Sequence, residues 1–168
     1  FIIFAVKPID LKKFLDEIKN IKFKSNSLAI SVIAGKKINY FKKKLKYINQ
    51  FVRVMPNMPA LIGEGVNCAV TNNNSNQNIK KNVESLFKYS GRVIFFKNEY
   101  EIDMATAVSG SGPGYVFYLI DSMEKAAVKL GFSKKTAKIL VFETFIGSIH
   151  LLKISELNAE DLVKTIAT

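Results

Sequence analysis

Two patterns of apolar and polar positions divide the chain. In the first, short apolar runs alternate with amphipathic stretches. Residues 1–6 form a continuous apolar run, as in a strand buried on both faces. Pro8 is then expected in the first turn of a helix, where its missing N–H costs nothing, and Leu11, Phe14, Leu15 and Ile18 give that helix one apolar stripe. Residues 28–34 read as a second strand closed by Gly35, and Ile38, Phe41, Leu45 and Ile48 stripe a Lys-rich helix. Further strands are expected at 51–55, 66–70 and 92–97, with an Asn-rich loop at 71–77 and a helix marked by Ile79, Val83, Leu86 and Phe87. Strands alternating with helices predict a mostly parallel sheet covered on both faces.

After about Asn98 the second pattern takes over and no further strand is expected. Residues 101–108 read as a helix broken at 109–112. Pro113 opens a long helix to about Leu130, Gly131 stops it, Ser133 caps a third to about Lys153, and Ser155 begins a fourth. The third carries Ile139, Leu140, Val141, Phe142, Phe145, Ile146, Ile149, Leu151 and Leu152. A helix apolar on nearly every face must be buried all round. Four helices cannot easily cover it, so a second copy of the chain is expected over it. A monomeric mass for the intact protein would refute that expectation.

Composition changes this picture little. The 168 residues suffice for one large or two small domains, and 48% hydrophobic content excludes a disordered chain. The net charge of +11 suggests nucleic acid, but of 25 basic residues only Arg53 and Arg92 are arginine. Base and phosphate readers favour the bidentate guanidinium, so the lysines read as a solvated surface. One cysteine, Cys68, rules out an intramolecular disulfide, and with His150 as the sole histidine no metal site is expected. His150 lies in an apolar helix and reads as a packing residue; no catalytic acid, base or nucleophile is nominated. The chain has no apolar run of about 18 residues, so no membrane span is expected. The short opening run lacks a basic leader, so no signal peptide is expected either and the location is read as cytoplasmic.

Three motifs carry chemistry. Ala5-Val6-Lys7-Pro8 leaves the carboxyl end of a strand, where open α/β sheets bind ligands. Met55-Pro56-Asn57-Met58-Pro59 leaves another, with two prolines stiffening the loop and an Asn amide able to hold a ligand or the loop backbone. Ser109-Gly110-Ser111-Gly112-Pro113-Gly114 has neither the spacing of a dinucleotide fingerprint nor the Lys of a P-loop, and its glycines suit close helix packing.

In this order and spacing, the strings 52–65 and 107–115 resemble pyrroline-5-carboxylate reductase. The resemblance covers the middle of such an enzyme. It implies an α/β plus all-α protein: a partial Rossmann-like dinucleotide-binding domain at 1–98, then a helical dimerisation domain at 99–168. It implies NADPH or NADH as cofactor, lying against Ala5, Val6, Lys7, Pro8, Met55, Pro56 and Asn57. Ser109 and Ser111 would flank the cleft, and Glu156, Thr165 and Thr168 would lie near substrate, just before the family's Gly-Gly-Thr-Thr loop. Met58 stands where the family usually has Thr, and Gly114 where it has Ala. The Gly-rich first turn and the final helices lie outside this sequence, so as it stands the chain is expected to bind dinucleotide weakly. Partners implied are a small-molecule substrate and a second copy of the chain, with a higher assembly of dimers left open, and neither nucleic acid nor membrane.

The implied reaction is hydride transfer to the C=N carbon of pyrroline-5-carboxylate, giving proline. Two alternatives stand beside it. One is a dehydrogenase of the same architecture acting on a hydroxy acid, for which Lys125 or Lys129 would have to serve as the catalytic lysine. The other is a non-catalytic Lys-rich binding protein, marked by salt-sensitive DNA binding without turnover.

Overall fold

A computed structural model describes residues 1–73 and 76–166. The chain divides into two compact units, Phe1–Pro113 and Gly114–Thr168.

The first unit is a five-stranded sheet whose spatial order follows the sequence: β1 (Ile2–Phe4), β2 (Leu28–Ser31), β3 (Gln50–Met55), β4 (Gly65–Thr71) and β5 (Gly91–Phe95). β1, β2 and β3 are parallel, β4 runs antiparallel to β3, and β5 is parallel to β4. The reversal follows from the connections. Helices α1 (Leu11–Ile18) and α2 (Ile38–Lys44) cross over between the first three strands, whereas 56–64 holds only a 3-10 turn, Met58–Ile62. A parallel return needs about a dozen residues or more, so this shorter connection turns the chain back.

Helix placement follows from strand direction. Crossovers between parallel strands are right-handed. Along β1–β2–β3 they put α1 and α2 on one face, where Leu11, Leu15, Ile38, Phe41 and Leu45 pack with Phe4, Ala29, Phe51 and Val70. The Phe4 and Phe41 rings stack at 5.4 Å. Along β4–β5 the direction is reversed, so α3 (Gln77–Phe87) falls on the opposite face. There Ile79 and Val83 pack on Leu28, Ile30, Val52, Val54 and Ala69. Helix α4 (Glu99–Ala105) returns to the first face through Ile102, which is fully buried.

Side-chain amides close the β3–β4 pair at both ends. At one end Asn72 Oδ1 accepts from Phe51 N–H at 2.8 Å and its Nδ2 donates to Asn49 O at 2.8 Å. At the other, Asn57 Oδ1 accepts from Val66 N–H at 2.8 Å. Glycine is required where β4 and β5 start. A Cβ on Gly91, whose φ is +128°, would lie 2.0 Å from Gly65 O.

Several expectations need correction. β1 is buried on one face only: Ile3 is 48% exposed, because β1 pairs with β2 alone among the described strands and α3 covers the far side of the sheet. Pro8 precedes its helix, which opens at Leu11 after a turn held by Asp10 N–H to Lys7 O at 3.0 Å. The helix expected to end at Val108 runs on to Gly110, and the break expected at 109–112 narrows to Ser111, after which the next helix opens at Gly112. α4 passes into a π turn, Thr106–Gly110, closed by Ser111 N–H donating to Thr106 O at 2.9 Å.

The second unit is helical, with α5 (Gly112–Lys129) entering it, then α6 (Lys134–Ile154) and α7 (Ala159–Ile166). Ser133 caps α6 by accepting from Thr136 N–H at 3.1 Å. α7 starts later than Ser155, because the amide of Asn158 caps it through Asp161 N–H at 3.0 Å. Only Ala137 and Val141 of α6 are buried. Ile139, Ile146 and Leu151 remain about half exposed, at 54%, 49% and 54%. Among the described residues no helix is long and apolar enough to cross a membrane.

Candidate functional site

Because β1, β2 and β3 are parallel, their carboxyl ends share one edge of the sheet. The loops carrying Ala5, Val6, Lys7 and Pro8 and carrying Met55, Pro56 and Asn57 both leave from that edge. Ala5, Lys7 and Pro8 are exposed, whereas Met55, Pro56 and Asn57 are half-buried.

Asn57 explains the half-burial. Its Oδ1 takes the Val66 N–H, and its Nδ2 donates to Ser109 O at 3.0 Å. Each end of the amide thus has a backbone partner, so the side chain holds the loop. The Ser109 hydroxyl donates to Ala105 O at 2.9 Å, which spends its proton. It is therefore the acceptor in its 3.5 Å contact with the Sγ of buried Cys68. Met55 reaches the same turn: a Cβ on Gly110 would lie 3.8 Å from its Cε.

The Ser109 carbonyl is available for this bond because its α-helical donor would be residue 113, and Pro113 has no N–H. The π turn, a feature frequent at functional sites, ends at the neighbouring Gly110. The structure therefore joins Met55, Asn57 and Ser109. Ser111 lies on the same stretch, with its side chain exposed. Met58, at the first position of the 3-10 turn, is 61% exposed.

The remaining expected residues lie elsewhere. Glu156 is exposed in the connection between α6 and α7, outside a first helical turn. Thr165 is on α7, its hydroxyl donating to Leu162 O at 2.7 Å. Thr168 lies outside the described residues. Lys125 is exposed on α5 and donates to Asp121 at 2.6 Å, an i,i+4 pair that raises its pKa and keeps it protonated. An exposed, paired ammonium is poorly suited to act as a base.

One feature escaped the sequence reading. Arg53, in the middle of β3, is buried. Its Nη2 donates to Asp103 Oδ1 at 2.7 Å, and its Nη1 lies 3.6 Å from Glu99 Oε1. The same Glu99 oxygen accepts Ile38 N–H at 2.8 Å, capping α2. The signal was an arginine inside an otherwise apolar strand.

Comparison with known proteins gives a consistent set of similar proteins. A family model described as pyrroline-5-carboxylate reductase dimerisation matches residues 99–168. Pyrroline-5-carboxylate reductase from Aquifex aeolicus is 33% identical over 99% of this chain and 61% of its own length. Pyrroline-5-carboxylate reductase 2 of Bacillus subtilis is 36% identical over 99% of this chain and 59% of its own length. The Plasmodium falciparum pyrroline carboxylate reductase structure, which has NADP bound, matches with a TM-score of 0.88 at 36% identity, covering 99% of this chain and 64% of that one. Over nearly its whole length the chain is similar to pyrroline-5-carboxylate reductases. It spans about three-fifths of the length of these curated relatives. Within the family match, 99–168, fall α4, the π turn and all the later helices. The α/β plus helical fold expected from the sequence is the one this match supports.

Proposed function

We propose that the complete protein reduces 1-pyrroline-5-carboxylate to L-proline with NADPH or NADH, in the cytoplasm. The observation that carries this reading is the Asn57 bridge. It joins the Met55–Asn57 loop to the Ser109 turn, in a chain that aligns with reductases through both motifs.

In this reading residues 1–98 are the part of a dinucleotide-binding domain nearest the nicotinamide, and 99–168 form a dimerisation and substrate domain. The open edge at the ends of β1 and β3 suits a flat ring: Ala5, Lys7 and Pro8 are exposed there, and the Asn57 amide is withdrawn into the protein. Ala5, Val6, Lys7, Pro8, Met55, Pro56 and Asn57 would hold the cofactor, chiefly through backbone and apolar contact. Bound there, the nicotinamide supplies the hydride. Ser109 and Ser111 would border the reacting carbon, while Glu156, Thr165 and Thr168 would lie toward the substrate carboxylate.

A protonated imine is already electrophilic at carbon. Hydride addition leaves a neutral secondary amine at nitrogen, and no strong base is required. The protein's task is then to hold two reactants in line and exclude water, which lowers the barrier through proximity. The absence of a nominated acid or base in the sequence fits that demand.

The open apolar faces of α6 support a homodimer through the helical unit. Met123, Ala126 and Leu130 of α5 line a groove with Leu140, Val141 and Thr144 of α6, a surface suited to side chains of a second copy.

The test is NADPH oxidation by the complete gene product, with and without pyrroline-5-carboxylate. Substrate-dependent oxidation that yields proline is expected. No oxidation of either NADPH or NADH would overturn the reading.

A further inference from the structure

We propose that Arg53 is a positioning residue for this site, acting through α4 on the turn that carries Ser109 and Ser111; the proposal rests on the reductase reading above.

Arg53 projects from β3 on the face that α4 covers, and its side chain is 3% exposed. The carboxylates beside it belong to Glu99 and Asp103. These are four residues apart on one helix and so lie on the same face, one turn above the other. A charge in this setting is a poor choice for stability alone. Burying a guanidinium costs more than packing an apolar side chain of similar volume, and replacing all members of such an ion pair by apolar residues is often neutral or stabilising. Moreover, Nε and Nη1 are buried without a hydrogen-bond partner among the described residues.

What the pairing does provide is a fixed setting of the helix. An apolar contact between a helix and a sheet tolerates sliding and rotation, whereas a short charged bond to Asp103 and a second carboxylate at Glu99 define both. Glu99 adds a third reference, because its Oε1 also takes the first N–H of α2. α4 runs without interruption into the π turn. The far end of that turn meets the loop that leaves β3, where Asn57 reaches Ser109 O. β3 and its outgoing loop thus grip one helical stretch at two places, Arg53 on α4 and Asn57 on the turn that follows it. A shift of α4 would pull the Ser109 carbonyl from Asn57 and displace the Met55–Asn57 loop with it.

The experiment uses the complete gene product carrying Arg53→Lys, Arg53→Met or Asp103→Asn. Lysine keeps the charge and loses the planar fork. Two readouts are taken: steady-state kinetics, and amide hydrogen exchange at 109–111 compared with Val52, Val54 and Ala69 in the sheet.

For Arg53→Lys we expect kcat to fall about tenfold, with KM for pyrroline-5-carboxylate within about threefold, as for a loss of alignment rather than of binding. Exchange should quicken at 109–111 and stay unchanged in the sheet. Arg53→Met should lose kcat as Arg53→Lys does and also lower the melting temperature, because it leaves the Glu99 and Asp103 carboxylates unpaired. Asp103→Asn, at a half-exposed position, should show the same pattern more weakly and decides the matter if the Arg53 variants fail to fold. Unchanged exchange at 109–111, or faster exchange throughout the sheet, would overturn the proposal. If the wild-type protein oxidises neither NADPH nor NADH, the reductase reading falls, and the exchange data still decide whether Arg53 sets the turn.

Discussion

The two units solve the same problem in opposite ways. The sheet unit covers its own apolar residues: Leu11, Leu15 and Phe41 close one face, Ile79 and Val83 the other, and each is nearly or fully buried. The helical unit leaves its apolar residues open, with Ile139, Ile146, Ile149 and Leu151 about half exposed along a single helix. Both are rich in apolar side chains. Composition therefore does not decide whether a region is self-sufficient; the arrangement of faces does. A sheet with helices on two sides has somewhere to put every apolar row. A helix apolar on all sides cannot be satisfied by neighbours on one side.

This contrast can be broken most sharply at α6. Ile146→Asp in the complete protein would bury a carboxylate in the expected subunit interface, and sedimentation should show a shift from dimer to monomer or aggregate. An unchanged dimer would mean that α6 is not the interface. Next comes Phe41→Ala in the sheet unit. It removes a ring stacked on Phe4 and should cost about 3–5 kcal/mol in chemical denaturation, as large core deletions do. The dimer should persist under native conditions, and loss of association together with stability would show that the units are not separable in this way.

Gly91→Ala tests the close approach of β4 and β5. The new methyl would need a positive φ and would strike Gly65 O, so a loss of about 1–3 kcal/mol is expected from backbone strain, measured by thermal melting. The smallest effect compares the caps. Asn76 accepts from Asn78 and Ile79 N–H at the start of α3, and Ser133 from Thr136 N–H at the start of α6. Asn76→Ala and Ser133→Ala should each cost about 1 kcal/mol. Equal losses would show that local helix ends behave alike in the two units, leaving the difference to long-range burial.

Much of this arrangement could be read from residue order. The apolar runs located all five strands, and the stripes of Leu11/Leu15 and Ile79/Val83 named the faces that are buried. The all-round apolar character of α6 anticipated its open surface. What escaped depended on contacts between distant residues. Widening a helix by one residue at 106–110 leaves no periodic trace, and the bond from Asn57 to Ser109 O that accompanies it joins residues far apart in sequence. The pairing of Arg53 was not legible, since its two carboxylates are contributed by a helix that follows two further strands. The start of α1 slipped because Pro8 fits a turn before a helix as well as its first turn. The start of α7 slipped because Ser155 and Asn158 are both able caps, and only the fold selects between them.

The reversal of β4 has a further consequence. Had β4 continued parallel to β3, its crossover helix would have lain on the same face as α1 and α2, directly over β3. Turning the strand around sends that helix to the other side and leaves the surface above Arg53, Cys68 and Val70 free. α4 fills this space with Ile102. One change of strand direction thus acts as a reservation. It keeps a berth in the sheet for the helix that leads toward the second unit, so that a chain segment arriving last is seated against the strand that carries the site.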